Sequence, residues 1–382
     1  MVSSLRTLFT YPATLAVATA FSLNSFLFGL WASRIPDLQQ NLALGEGELG
    51  LALLGMPLGA VAVMPFMGWI TEKLGSGKML LLATLGYSLA ISLPPLARGL
   101  YELSAILVLV GLSNGAMDIS MNVAGTAVEK QYRVAILSVC HSFFSFGGMA
   151  GALVGSITAS ISLPMDRLLF MGGMLGLIFA LLVRRLLTGI AHTKSAAAVF
   201  ALPSKGLLLL AFIGFCVMLG EGAMADWSAV YLVKVSQASS AVAGLGYAGF
   251  SLAMGVGRLY GSELAARFST KTILLMGSLM AASGLVLALL VSEPLFVVAG
   301  FSIAGLGYSC LVPVLYNAAV ALPGLVPGSS IAAIAGTGYV GLLLGPPLIG
   351  LLAEVTSLQG GLLVVVLLAL LAALCAGKVK TN

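Results

Sequence analysis

Asn114, Asp118 and Asn122 stand at i, i+4 and i+8 in the stretch Gly111-Leu-Ser-Asn-Gly-Ala-Met-Asp-Ile-Ser-Met-Asn122. On a helix this spacing stacks two amides and a carboxylate along one face. The stretch lies in a long apolar segment bounded by Glu102 and by Glu129-Lys130. Its midpoint falls near residue 115 or 116, so at a rise of about 1.5 Å per residue Asp118 is expected about 4 Å from the middle of a membrane. A carboxylate there costs roughly 2.5–3.5 kcal/mol on insertion scales and must face protein or water. Two roles fit it: a group that takes up and releases a proton, with Asn114 and Asn122 holding solute hydroxyls or the acid itself, or a structural acid hydrogen-bonded to a neighbouring helix.

Two further acids, Glu221 and Asp226, lie in the apolar stretch Glu221-Gly-Ala-Met-Ala-Asp226-Trp227. Five residues on a helix turn about 140°, so the two do not share a face. Glu221 is the deeper and is expected to work with protons. Asp226 either joins a gate or lies near the outer interface, as its distance from Lys234 suggests. His141 opens a polar face and is either a partner for Asp118 or a packed side chain. Arg34 and Asn24 flank Trp31; Arg34 is a candidate to pair with Asp226 when an outer gate shuts. Tyr308, Pro313, Tyr316 and Asn317 place a helix breaker and hydrogen-bonding groups on a later segment.

The elements that carry these residues follow from composition. The 382 residues are 60% apolar and 8% charged, with mean hydropathy +1.11. A soluble domain carries roughly 25% charged residues, so the chain is expected in a membrane. Twelve apolar segments, at about 11–33, 47–71, 77–97, 103–128, 134–162, 167–187, 206–233, 241–266, 271–291, 294–321, 328–355 and 359–377, are each long enough to cross about 30 Å of hydrocarbon. Residues 1–10 are too short and too weakly charged for a cleaved signal peptide, so the first segment reads as a permanent span. Cys140, Cys216, Cys310 and Cys375 all fall within such runs and read as small buried hydrophobes, with no disulfide framework and no metal spacing.

With the N-terminus inside, the inner loops and tails hold thirteen cations: Arg6, Lys73, Lys78, Lys130, Arg133, Arg184, Arg185, Lys194, Lys205, Arg267, Lys271, Lys378 and Lys380. The outer loops hold four, Arg34, Arg98, Arg167 and Lys234, and Arg258 lies inside a span. This bias predicts a multi-pass protein of the cell (inner) membrane with both termini cytoplasmic. It also accounts for the net charge of +5 without nucleic acid.

The chain is expected to divide into an N-terminal six-helix bundle (1–188), a cytoplasmic linker (189–204) and a C-terminal six-helix bundle (205–382). A weak repeat supports the division. Gly147-Gly-Met-Ala-Gly151 meets Gly341-Leu-Leu-Leu-Gly345 at an offset of 194, as Gly111-Leu-Ser-Asn114 meets Gly305-Leu-Gly-Tyr308. Leu30-Trp31-Ala-Ser33 meets Asp226-Trp227-Ser-Ala229 at an offset of 196. Parallel halves around a midplane site are a transporter design. The paired Trp31 and Trp227 are then either walls that stack a ring-shaped solute or members of the interfacial aromatic belt.

The loop after the second span, Gly68-Trp-Ile-Thr-Glu72-Lys73-Leu-Gly75-Ser-Gly-Lys78, resembles the signature loop of the major facilitator superfamily, Gly-x-x-x-Asp-Arg-x-Gly-x-Arg-Arg. The resemblance implies a bundle of twelve transmembrane helices in two pseudo-symmetric halves, a monomer in lipid, with spans one, four, seven and ten around an aqueous cavity. It also implies that Gly68, Glu72, Lys73 and Lys78 latch the inner gate. Within the superfamily the chain resembles the fucose-permease branch, through the carboxylate-x-x-x-Asn pair Asp118/Asn122, then Glu129, Arg133 and Ser142-Phe-Phe-Ser145-Phe-Gly147. Two departures stand out. Ala32 occupies the branch's first-span acid position, and the branch's polar residues at the fifth-span positions of His141 and Phe144 are replaced. Proton coupling through the fourth span survives these changes, whereas recognition of a fucose-like sugar does not follow.

Gly341-x-x-x-Gly-Pro-Pro-x-x-Gly350 also resembles a motif of drug/proton antiporters, which in those proteins lies in the fifth span. The expected activity is therefore secondary active transport, proton-coupled symport of a small polar, sugar-like solute by alternating access. The alternative is proton-driven export of amphipathic compounds. Asp118, Glu221 and His141 are the proton-coupling candidates. Asn24, Trp31, Asn114, Asn122, Phe144, Trp227, Tyr308 and Asn317 are the solute contacts. Arg34 and Asp226 join the signature loop in gating. No nucleotide loop, metal spacing or nucleophile constellation appears, so neither an enzyme nor a cofactor is expected.

Overall fold

The computed structural model describes residues 10–190, 203–322 and 326–379. Among them twelve helices are long and apolar enough to cross a membrane: Pro12–Asn41, Glu46–Leu74, Ser76–Leu96, Leu100–Tyr132, Leu137–Ser160, Met165–Thr188, Leu208–Lys234, Ser240–Leu259, Thr270–Leu290, Pro294–Val320, Gly328–Val355 and Leu358–Ala376. They are the first to twelfth spans below. Most of the linker expected at 189–204 lies outside the described residues, as do Arg6, Lys194 and Lys380.

Local chemistry explains where the spans break. The first stops at Ala32 and resumes at Ile35, because Pro36 can enter a helix only in its first turn. The tenth breaks at Ser309–Cys310, leaving Pro313 in the first turn of Leu311–Val320. The eighth was expected to run to residue 266; its helix instead ends at Leu259 and turns at Tyr260 into a separate Gly261–Arg267 helix. The eleventh keeps Pro346 and Pro347 inside one helix, Pro327–Val355.

Small residues bring the spans together as the repeat suggests. A Cβ on Gly147 would lie 2.8 Å from the carbonyl carbon of Ser22, so only glycine lets the fifth span lie against the first. The equivalent Gly341 of the eleventh span packs the same way on Phe215 and Leu219 of the seventh. The two six-helix halves then meet along a seam.

That seam is shut at the end carrying Glu46, here the Glu46 face. Lys234 of the seventh span donates to Glu46 of the second at 2.5 Å, and the Gly47 amide donates to Glu354 of the eleventh at 3.1 Å. Gly50 touches Pro346 and Gly350 backbone, where a Cβ would fall 2.5 Å from the Pro346 carbonyl oxygen. The opposite end, the Lys73 face, carries the signature loop. There Glu72, Lys73 and Lys78 are exposed, and among the described residues no hydrogen bond or ion pair joins them to the other half.

Candidate functional site

The fourth span is one helix of 33 residues, Leu100–Tyr132, centred on residue 116, which puts Asp118 two residues from its middle. Asn114, Asp118 and Asn122 are all half-buried on one face. Each already has a protein partner. Asn114 Oδ1 accepts from Nδ2 of the buried Asn24 at 2.9 Å, tying the fourth span to the first. Asn122 donates to the Asp118 backbone carbonyl at 2.9 Å, not to its carboxylate. The carboxylate accepts from the Tyr339 hydroxyl of the eleventh span at 3.4 Å, across the seam.

Tyr339 was missed by sequence reasoning, which offered His141 as the acid's partner. His141 instead sits edge-on to Phe21, with ring centroids 5.2 Å apart, and faces Arg258 within electrostatic reach. The signal that could have found Tyr339 is its position: it is 194 residues beyond Ser145, a polar residue in the fifth-span motif.

The second cluster centres on Glu221, the midpoint of the Leu208–Lys234 helix. Glu221 Oε2 lies 3.6 Å from Arg258 Nη2 of the eighth span. Arg258 Nη1 donates to Ser145 Oγ of the fifth span at 3.0 Å, a second polar link across the seam. Glu221 Oε1 is shut from solvent and has no hydrogen-bond partner. Tyr308, with its buried hydroxyl unpartnered, lies against Gly220, beside this acid. Tyr316 of the tenth span stands within electrostatic reach of both Asp118 and Glu221. The two carboxylates, from opposite halves, thus have separate partners: Asp118 accepts from Tyr339 and Glu221 stands beside Arg258. Arg258 was noted in the sequence only as a cation inside a span; its charge at that depth was the available signal.

The remaining candidates fall elsewhere. Trp31 and Trp227 are 0% exposed and their indole nitrogens lack partners, so in this conformation they form neither cavity walls nor an interfacial belt. Phe144 is half-buried and Asn317 exposed. Arg34 does not meet Asp226, although the Glu46 face is shut. It pairs with Asp37 three residues on and donates to the Leu163 carbonyl at 3.1 Å, both in its own half. Asp226 is half-buried, eight residues before Lys234 and so about 12 Å from that helix end. That is too deep for the interface, and it is Lys234 that meets the other half. Gly68 has open space around it, Lys73 lies over the Trp69 ring at 5.1 Å, and Gly77 packs on Leu187 of the sixth span, in its own half. Among the described residues no three His, Cys, Asp or Glu side chains converge as a metal cluster.

Twelve spans, a seam between two halves and acids at mid-depth define a membrane transporter. The Major Facilitator Superfamily model matches residues 13–235 and again 210–380, and the chain belongs to that family. It is 33% identical over 369 residues to an uncharacterized transporter of Sinorhizobium fredii, covering 95% of this chain and 97% of the relative. It is 32% identical to an uncharacterized MFS-type transporter of Yersinia pestis, covering 89% and 88%. Among solved structures it is similar in fold to a bacterial homolog of the human lysosomal transporter Spinster in an inward-facing, occupied conformation, with TM-score 0.73, 14% identity and 95% of each chain covered. It is likewise similar in fold to the E. coli fucose:proton symporter FucP, with TM-score 0.64, 15% identity, and 96% of this chain and 97% of that one covered.

Proposed function

We propose that this protein couples proton movement to uptake of a small polar solute by alternating access, with Asp118 as the proton carrier. The observation that carries the reading is the half-buried Asp118 carboxylate at the middle of the fourth span, held across the seam by the Tyr339 hydroxyl. A proton on Asp118 and the opening of the seam are then linked, because the same hydrogen bond reports both. Ligand and proton can move a two-state equilibrium only by binding its states unequally, and a cross-seam acid is a group that does so.

The cation bias of the loops supports a reading in which the Lys73 face meets the cytoplasm of a cell (inner) membrane and the shut Glu46 face meets the outside. Glu72, Lys73 and Lys78 would latch the inner side in the opposite state, and Glu221 joins Asp118 as the second acid of the cycle. The active unit is a monomer in lipid.

The test is proton flux in proteoliposomes with a trapped pH dye, screening sugars, sugar acids and nucleosides, with Asp118→Asn beside the wild type. A solute should drive protons in, and the variant should keep binding or exchange while losing the proton signal. Equal proton flux in the variant would remove Asp118 from the cycle. Dye efflux under an acid-outside gradient, with no solute-driven signal, would turn the reading to an exporter.

A further inference from the structure

Arg258 is the penultimate residue of the eighth-span helix, yet its guanidinium reaches Glu221 at the midpoint of the seventh-span helix, and a permanent charge held there needs a reason. Its guanidinium offers five N–H donors in a planar fork suited to a carboxylate. Protein occupies little of that fork. One nitrogen donates to Ser145 Oγ at 3.0 Å; another stands 3.6 Å from Glu221 Oε2, well beyond the roughly 2.7–2.9 Å of a charge-assisted hydrogen bond. The side chain keeps 16% of its surface open. Glu221 holds its neighbour by Coulomb attraction without clamping it, and its second oxygen is sealed and partnerless.

We propose that Arg258 is the receptor for a carboxylate on the transported solute, which makes the substrate class a small organic acid. The inference rests on the transporter reading above and goes further by naming the chemistry of the ligand. Charge balance supports it. Arg258 and Glu221 sum to zero, and an arriving carboxylate accompanied by one proton leaves that sum unchanged. An uncharged solute would offer the fork only neutral acceptors, whose hydrogen bonds are roughly half as strong as those of a carboxylate. The position suits a coupled step as well: Arg258 belongs to one half and Ser145 to the other, so a ligand competing for the fork acts on a bond that spans the seam. The other groups around Arg258 are Tyr247 on its own span and His141 on the fifth, both within electrostatic reach. His141 is exposed and can meet a hydroxyl on the same acid, whereas the buried Tyr247 hydroxyl is already engaged by Ser251.

The experiment uses wild-type, full-length protein in lipid nanodiscs and phenylglyoxal, which modifies accessible arginines, read peptide by peptide by mass spectrometry. Glucuronate and the smaller glycolate should slow modification of Arg258 several-fold, while uncharged glucuronamide leaves it unchanged. The exposed Arg98 and Arg167 should label equally in all samples. In parallel, Arg258→Gln and Arg258→Lys, checked by melting temperature, should weaken glucuronate binding about tenfold or more, as expected for losing a bidentate charged contact. Equal protection by glucuronamide, or no protection by either acid, overturns the proposal. Neutral sugars driving protons equally in wild type and Arg258→Gln would overturn it too and leave symport standing. Acids that protect Arg258 while no solute moves protons would keep the carboxylate site and remove the symport reading.

Discussion

Ser145 and Tyr339 lie 194 residues apart, the offset of the internal repeat, and each makes a hydrogen bond to a charged residue of the opposite half. Ser145 accepts from Arg258; Tyr339 donates to Asp118. Equivalent positions on the fifth and eleventh spans thus do equivalent work with different chemistry, one hydroxyl facing a cation and one facing an anion. Removing the Tyr339 hydroxyl should matter through conformation. At 3.4 Å the contact is longer than an ordinary O–H···O bond, so it contributes about 0.5 kcal/mol and Tyr339→Phe should shift the balance between seam states about twofold. Cysteine-accessibility of a probe at exposed Asn317 would report the shift; unchanged accessibility and unchanged proton flux would show the contact to be incidental.

The Glu46 face holds its seam by charge. The Lys234–Glu46 pair is partly exposed, at 40% and 24%, so it contributes about 0.2–1 kcal/mol. The Glu354 carboxylate at the Gly47 amide, beside the start of a helix, adds about 0.3–1 kcal/mol. Lys234→Gln with Glu354→Gln should therefore raise the population open on this face about fivefold, and raised salt should mimic the single Lys234 change. Spin labels on Asn41 and Ser239, one in each half and both exposed, would register a new long distance. A distance distribution identical to wild type would rule the latch out.

Two glycines allow packing to be separated from gating. Gly147→Ala forces the first and fifth spans apart within one half and should cost about 1–3 kcal/mol of stability, read as a lowered melting temperature. Gly50→Ala inserts its methyl into the seam, 2.5 Å from the Pro346 carbonyl oxygen, and should chiefly disfavour closure of the Glu46 face. Transport should fall in both. Only Gly50→Ala should do so with the spin-label distances moved and the melting temperature nearly kept.

Much of this architecture is legible in the amino-acid sequence because membrane burial demands long apolar runs. The third span, expected at 77–97, is Ser76–Leu96, and the twelfth, expected at 359–377, is Leu358–Ala376. The mid-depth of Asp118 follows from the same arithmetic. Its partner does not. Tyr339 is 221 residues away, and which residue of the eleventh span reaches the fourth depends on helix rotation and seam closure, which no local pattern encodes. The Arg34–Asp226 pairing failed for a related reason. Asp37, three residues after Arg34, lies on the next helical turn, and a local carboxylate reaches the guanidinium without bringing two halves together.

That local pairing yields a clear double-mutant test. Arg34 is 7% exposed and Asp37 19%, so their attraction is only weakly screened, and Arg34 is further fixed by the Leu163 carbonyl. A cycle of Arg34→Gln with Asp37→Asn should give a coupling of about 1 kcal/mol or more in thermal stability, each single variant leaving its partner unsatisfied. The cycle of Arg34→Gln with Asp226→Asn should be additive to within about 0.5 kcal/mol, as for residues with no shared partner. Asp226 belongs to the other half and, among the described residues, has no ion pair at all. Strong coupling in the second cycle and none in the first would mean that the gate closes through Asp226 after all, with Asp37 a bystander to the arginine.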